Sequence, residues 1–164
     1  MPRLFLLLSL LMLLAACQDE TSTPDAEPPE ELIPFRIDGA LEFLREGKLL
    51  LMIDLEIAAT DSAKMRGMMQ RKSFPDRSGM LFLFDQEQPQ QFWMGNTPVA
   101  LDLIFIDADS QIVDFAKYAK PFSAQSILSV APAQYVLEVP AGFSDTHGLI
   151  ETDRVRWQRT ASQE

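Results

Sequence analysis

Few side chains of this sequence could do chemistry, and those few form no familiar catalytic motif. Glu56, Asp102 and Glu138 are carboxylates set among apolar residues, and paired carboxylates can exchange protons or cleave glycosides. The same carboxylates could instead accept hydrogen bonds from backbone amides or arginine, as structural carboxylates commonly do. Arg66 is the cation that we expect to pair with Asp102 or Glu138, or with the carboxylate of a ligand.

A second set of candidates surrounds an aromatic pair. Phe92 and Trp93 are adjacent and Asn96 follows three residues after Trp93; an aromatic face beside an amide suits a sugar or another small polar ligand. Because adjacent strand residues point to opposite faces, one of the two rings should face outward. The sequence therefore predicts a binding groove formed by Arg66, Met69, Trp93, Asn96, Asp102 and Glu138.

Nucleophilic and metal chemistry have weaker support. His147 is the only histidine, and no nucleophile stands at a recognisable spacing from it, so we interpret it as a surface-loop residue and expect no zinc site. The chain is rich in methionine, and thioethers can select Cu(I), but methionine is more often an adaptable core filler. We expect no cofactor and no metal. The methionines in question are Met65, Met68, Met69, Met80 and Met94.

The N-terminus predicts export and a lipid anchor. A basic start at Arg3 precedes an apolar run over 4–14 that is too short to span a bilayer, and Leu14-Ala15-Ala16-Cys17 resembles a bacterial lipobox. We expect a signal peptide over 1–16, acylation of Cys17 and a periplasm-facing protein in the bacterial cell envelope. Gln18 favours the outer membrane over the inner one, because an aspartate at that place resembles an inner-membrane retention signal.

Composition limits the possible partners. The formal charge is −10, which disfavours nucleic acid and electrostatic adhesion to anionic lipid. Cys17 is the only cysteine, so no intrachain disulfide can form. Residues 17–34 combine acids with prolines and predict an extended tether. The last residues, 160–164, should fray.

The remaining 35–159 should form one β-rich domain. One face of the segment carries Leu49, Leu51, Ile53, Leu55 and Ile57, and the other carries Lys48, Leu50, Met52, Asp54 and Glu56. A period of two is that of a strand with one buried face. Residues 61–71 carry methionines at helical spacing behind N-cap candidates and predict a short helix. Seven or eight short strands with turn signals between them indicate a β-sandwich or a barrel.

Several of these segments together resemble the family called domain of unknown function 192. The resemblance covers roughly residues 50–157, and it implies a compact, single, mostly antiparallel β-sandwich of jelly-roll type with one or two short helices. The family has no established catalytic activity. The chain has Gly95 where the family usually carries lysine, and Thr152 where it usually carries glycine. The segments are 56–60, 66–71, 79–84, 92–97, 101–107 and 135–138.

These observations favour a lipid-anchored, exported, non-catalytic module that binds a small polar ligand or an envelope component. A hydrolase using Asp102 and Glu138 is the alternative, and methionine-based handling of Cu(I) is a second one.

Overall fold

A computed structural model of the protein describes residues 33–160. The predictions made for 1–32, including Cys17 and most of the tether, lie outside the described residues, as do those for 161–164. No helix within 33–160 is long and apolar enough to cross a membrane. The elements in chain order are β1 (Gly39–Arg45), β2 (Lys48–Ala58), α1 (Asp61–Arg66), β3 (Ser78–Gln88), β4 (Gln91–Phe92), β5 (Leu101–Ile106), β6 (Ile112–Ala119), β7 (Ile127–Leu128), β8 (Ala133–Pro140), α2 (Phe143–Thr146) and β9 (Arg154–Arg159).

The mainly β fold with two short helices confirms the predicted fold class. Seven strands form one sheet in the order β6-β5-β8-β3-β2-β1-β9, and β4 and β7 form a small second sheet. Every pairing is antiparallel except that of β2 with β3, which run parallel and are joined through α1. The residue patterns predicted an antiparallel arrangement, and this parallel crossover was not predicted. The crossover places α1 over one face of the sheet.

The large sheet curls around one of its two apolar faces. Its edge strands β6 and β9 meet at one corner, where the backbone amide of Ile112 donates to the carbonyl of Asp153 at 2.8 Å. The sheet remains open elsewhere, which gives a sandwich-like fold. The enclosed face carries a first apolar cluster that includes Leu41, Phe43 and Leu55. Because strand side chains alternate between faces, the opposite face carries a second cluster, and α1 lies on this second face.

Helix α1 is shorter than the predicted 61–71. Thr60 caps it by accepting a hydrogen bond from the Ala63 amide at 3.2 Å, as its residue type predicts. The helix ends after Arg66 because Gly67 has φ 50°, a conformation that favours glycine and stops helical propagation. Residues 67–71 therefore form a turn, and this turn brings Arg71 back over the sheet.

Thr152 occupies a backbone conformation that favours glycine, the residue that the resemblance described above implies at this position. Its φ is 86°, which is strained for a β-branched residue. The next residue, Asp153, is fully buried and accepts hydrogen bonds from Arg45 Nε at 2.7 Å and from the Ile150 amide at 3.0 Å. These contacts hold the turn in place despite the strain at Thr152.

Candidate functional site

Two buried carboxylates lie in one row across the second face of the sheet. Glu56 on β2 is the register partner of Met80 on β3, Met80 is the partner of Glu138 on β8, and Glu138 is the partner of Leu103 on β5. Register partners point to the same face. Polar side chains thus replace two positions of an otherwise apolar row, on the face that α1 and its following turn cover.

The first carboxylate, Glu56, forms a buried ion pair with Arg71. The two guanidinium NH groups of Arg71 donate to Oε2 and Oε1 of Glu56, each at 2.7 Å, and both side chains are almost completely buried. The backbone amide of Arg36 also donates to Oε2 of Glu56, at 3.1 Å. A planar fork on a carboxylate is the strongest arrangement available to arginine. It ties the turn after α1 to strand β2.

The second carboxylate, Glu138, has no such partner. It is 5 % exposed, and its buried Oε2 accepts or donates no hydrogen bond within the described part of the chain. Burial raises the pKa of Glu138 to about 8, and the charge of Arg71 offsets only part of that rise. The side chain is therefore mostly a neutral carboxylic acid at pH 7. The Nε–H of Arg71 is also buried and has no hydrogen-bond partner among residues 33–160.

A cleft opens above this row, and we name it the Glu138 cleft. Its volume is about 250 Å³. Gly67 lines its floor, and Glu138 lies beneath Gly67 without lining the cleft itself: a Cβ built on Gly67 would lie 3.8 Å from Oε2 of Glu138 and 3.2 Å from the Phe82 ring. Three arginines line the cleft, of which Arg36 and Arg66 are exposed at the rim. The lining residues are Ile33, Pro34, Arg36, Glu56, Ile57, Ala58, Ala63, Arg66, Gly67, Arg71 and Met80.

Asp102 does not belong to this site, which corrects the predicted groove and the predicted carboxylate pair. Asp102 is the register partner of Val139, whereas Glu138 is the partner of Leu103, so the two carboxylates point to opposite faces of the sheet. Asp102 is fully buried and accepts hydrogen bonds from three backbone amides at 2.9–3.1 Å. The donors are Tyr118, Gly142 and Ser144. It holds the loop before α2 against the end of β6.

Arg66 pairs with neither Asp102 nor Glu138, contrary to expectation. Within residues 33–160 its side chain is exposed and forms no hydrogen bond or ion pair. Arg71, which the sequence interpretation passed over, is the arginine beside the buried carboxylates. Its position in the 66–71 segment was the available signal. Arg66, Met69 and Asn96 do share a shallow depression of about 370 Å³ on the outer side of α1.

Trp93 lies apart from the Glu138 cleft. Phe92 points inward and packs edge-on against Phe82 and Phe105, at centroid distances of 5.1 and 6.4 Å. Trp93 is 51 % exposed, so one ring of the pair faces outward as predicted. Its ring lies over Gly95, where an added Cβ would come within 2.4 Å of it. Trp93 lines a separate depression of about 390 Å³, so the six predicted residues do not share one groove within 33–160.

The methionines that were considered for Cu(I) do not all lie together, and His147 is elsewhere on the domain. Met68, Met80 and Met94 are buried in the second apolar cluster, whereas Met65 is 77 % exposed. His147 is exposed and packs on the ring of Phe143, at a centroid distance of 4.4 Å. Phe143 belongs to the first cluster. Within 33–160, no group of three histidine, cysteine, aspartate or glutamate side chains is placed to hold a metal ion.

The comparison with known families identifies the fold's relatives. The model of the family DUF192, described as "Uncharacterized ACR", matches residues 43–157, which is most of the chain. The chain belongs to the DUF192 family. The matched range includes Glu56, Arg71 and Glu138, so the whole carboxylate row lies in the family domain. None of the curated proteins matches the chain.

Two solved structures are similar to this DUF192 chain. A candidate transcription regulator from Sinorhizobium meliloti 1021 is 30 % identical, with a TM-score of 0.71 over 76 % of this chain and 96 % of that one. A protein of unknown function from Novosphingobium aromaticivorans DSM 12444 is 27 % identical, with a TM-score of 0.68 over 84 % of this chain and 95 % of that one. The fold of the domain is therefore shared, and its activity is not assigned by either relative.

The Glu56–Arg71 pair yields a stability prediction. Arg71→Ala should lower the free energy of unfolding by about 3–5 kcal/mol, because it leaves the Glu56 charge buried without its partner. Arg66→Ala removes the same kind of side chain from an exposed position and should change it by no more than about 0.5 kcal/mol. Urea unfolding of both variants measures the difference. Equal losses would contradict the assignment of Arg71 as the buried partner.

Glu138 yields a prediction about pH. Its pKa is about 8 in the folded domain against an ordinary value of 4.5, so between these values the folded state keeps a proton that the unfolded state has released. The stability due to this group is therefore lost as pH rises, with a slope of up to about 1.4 kcal/mol per pH unit. Glu138→Gln cannot titrate and should lack this component. If the free energy of unfolding changed with pH by the same slope in both proteins between pH 5 and 8, the prediction would be refuted.

Proposed function

We propose that this protein is a lipid-anchored, exported binding module of the bacterial envelope, which holds a small polar ligand in the Glu138 cleft without transforming it. The observation that carries the proposal is two buried polar atoms that have no hydrogen-bond partner within residues 33–160: Nε of Arg71, which lines the cleft, and Oε2 of Glu138, which lies beneath Gly67 on its floor. A domain maintained only for stability gains nothing from them, because each unpaired buried group costs about 1–3 kcal/mol. A ligand that supplies the missing hydrogen bonds explains why they are there.

The arrangement around the cleft supports binding more than catalysis. Catalysis by paired carboxylates needs two carboxyl groups that face one substrate, and Asp102 and Glu138 face opposite sides of the sheet. Glu56 is held by both guanidinium NH groups of Arg71, which leaves it engaged as an anchor. The polar side chains that line the cleft are three arginines and Glu56, which are hydrogen-bonding groups. No serine, threonine, cysteine or lysine of residues 33–160 that could act as a nucleophile lines it.

The lipid anchor rests on the N-terminal sequence. Leu14-Ala15-Ala16-Cys17 provides the small residues and the thiol that a bacterial lipobox uses, and acids and prolines follow it at once. Two or more acyl chains would hold the domain stably at a membrane, where a single chain would not. Gln18 favours the outer membrane. A domain held there meets sugars, peptides and small organic ions of the envelope.

A second candidate site is the depression at Trp93. Its exposed ring over Gly95 offers a flat aromatic face, which is the kind of surface on which a sugar stacks. Unlike the Glu138 cleft, it has no buried polar atom without a partner among the residues of 33–160 that line it. We therefore place it second, as an accessory contact for an extended envelope fragment.

The name of the Sinorhizobium relative raises DNA binding as another class of function. DNA-binding surfaces neutralise several phosphates with clustered basic residues. This chain has a formal charge of −10, and the cations of the Glu138 cleft are offset in part by acids that contact them. We therefore propose no nucleic-acid partner.

The anchor is tested in a bacterial host. Wild type should incorporate a radiolabelled fatty acid and sediment with membranes, whereas Cys17→Ala should do neither, because the thiol that accepts the diacylglyceryl group is absent. Gln18→Asp is a second variant and should shift the protein to the inner membrane of an enteric host. Normal labelling and carbonate-resistant sedimentation of Cys17→Ala would rule the anchor out.

The binding site is tested with a matched pair of cavity-filling variants. Saturation-transfer NMR against a library of sugars, amino acids and organic acids should identify ligands of the wild-type protein. Ala63→Phe fills the Glu138 cleft and should abolish binding, whereas Ala124→Phe fills the Trp93 depression and should not, since each alanine lines only its own cavity. The reverse result would move the site to Trp93. Steady consumption of a ligand would contradict the non-catalytic proposal.

A further inference from the structure

We propose that the surface around Trp93 docks the domain onto a lipid bilayer and thereby fixes the orientation of the domain at the membrane. We name this surface the Trp93 patch and define it by four apolar side chains that are each more than half exposed: Met65, Trp93, Phe122 and Leu128. The inference rests on the lipid anchor of the proposed function. The anchor supplies the attachment, and the patch supplies the orientation.

The outer face of the small sheet carries two residues of the patch. Leu128 on β7 is the register partner of Gln91 on β4, and register partners point to the same face. Phe92 points inward and packs on the second apolar cluster, so the next residue, Trp93, lies on the outer side together with Gln91. Trp93 and Gln91 line the same depression. Leu128 and Trp93 therefore belong to one surface.

Phe122 and Met65 adjoin this surface. The residue after Trp93 donates its backbone amide to the carbonyl of the residue after Phe122, at 3.1 Å, which holds the loop of Phe122 against the turn that follows β4. The ring of Trp93 covers Gly95, and the next residue, Asn96, lines the depression that contains Met65. The four apolar side chains are thus linked through neighbouring residues across both depressions.

The patch differs from the rest of this acidic chain in its charge. Residues 88–101 and 121–137, which supply three of its four side chains, contain no charged residue, although such residues make up 23 % of the chain. The charges that border the patch are the exposed cations Arg66 and Lys120, and neither forms an ion pair within residues 33–160. An uncharged apolar surface with cations at its border matches a bilayer, whose acyl region excludes ions and whose headgroups include anions.

The chain enters the domain on the side of the patch. Ile33, the first residue that the structure describes, lines the Glu138 cleft together with Arg66, and Arg66 also lines the depression that contains Met65. The segment from Cys17 to Ile33 spans at most about 55 Å. An acylated Cys17 therefore keeps this side of the domain close to lipid, and at the resulting high effective concentration a small patch is sufficient for docking.

The acidity of the chain favours the same orientation. The formal charge of −10 opposes adhesion of the domain as a whole to anionic lipid, which is why a covalent anchor is needed. Once the anchor holds the domain at the bilayer, the acidic faces are repelled. The Trp93 patch is then the face that approaches lipid with the least electrostatic cost and the largest apolar gain.

A soluble ligand at Trp93 would account for less of this surface. A sugar stacks on one aromatic face, and the Trp93 ring alone provides that. The exposed side chains of Met65, Phe122 and Leu128 would remain in water, whereas a bilayer covers them together.

The test uses the acylated protein carrying Trp157→Phe, on vesicles of equal parts phosphatidylethanolamine and phosphatidylglycerol. The chain has two tryptophans, so Trp93 is then the only one. Its emission should be quenched when the lipids carry bromine in the upper part of the acyl chain, compared with vesicles of the unbrominated lipids. Bromine quenches only at close approach, so quenching reports that the ring lies among the acyl chains rather than merely near the membrane.

A matched pair of double variants tests the patch itself. Phe122→Ser with Leu128→Ser should lower the ratio of docked to undocked domain about a hundredfold and abolish the quenching, because each removes a side chain that docking buries. Leu49→Ser with Met52→Ser removes two equally exposed apolar side chains from β2, outside the patch, and should leave the quenching unchanged. Equal quenching in both double variants would contradict the assignment of the patch.

The remaining outcomes separate this inference from the proposed function. Mass spectrometry of the purified protein shows whether Cys17 is acylated, and an unmodified Cys17 overturns the anchor and the docking together. An acylated protein whose Trp93 emission is the same on brominated and unbrominated vesicles overturns the docking and leaves the anchor standing. A saturable change of that emission with a soluble oligosaccharide, without quenching by brominated lipid, also overturns the docking and assigns Trp93 to a sugar.

Discussion

The buried ion pair between Glu56 and Arg71 is the contact on which the cleft depends. It joins a strand of the large sheet to the turn that follows α1, and both side chains are out of water. A buried pair of this kind is costly to break and contributes little net stability compared with apolar packing. Its consequence is positional: it fixes the turn over the sheet and brings Gly67 down over Glu138. The Nε–H of Arg71 stays buried without a partner among residues 33–160.

Glu138 is then a side chain whose environment opposes its charge. The sheet surrounds it with apolar neighbours, the arginine closest to it is already committed to Glu56, and burial raises its pKa to about 8. Such a group lowers stability wherever it has no hydrogen-bond partner. An acid in this state is explained if a bound molecule supplies its missing hydrogen bond. Replacing Glu138 by an apolar residue is therefore expected to raise the stability of the domain and to weaken ligand binding.

Much of the fold could be predicted from residue patterns. The alternation of Leu49 to Ile57 predicted β2, the segments 101–106 and 135–139 predicted β5 and the core of β8, and the N-cap at Thr60 predicted the start of α1. The end of α1 was wrong by about a turn, because Gly67 stops the helix and the periodic methionines beyond it pack from a turn. The outward face of one of the two adjacent rings also followed from alternation alone, although which ring it would be did not.

The sequence by itself determined an acidic, β-rich domain with carboxylates embedded in apolar strands, and it predicts an N-terminal export signal. Only the tertiary structure decided how those carboxylates are used. Strand register placed Glu138 opposite Leu103 and Asp102 opposite Val139, which put the two acids on different faces. The crossover through α1 and the turn after it bury Arg71 beside Glu56 and leave Arg66 exposed. Register and crossover geometry depend on contacts between residues distant in the chain, and local periodicity carries no information about them.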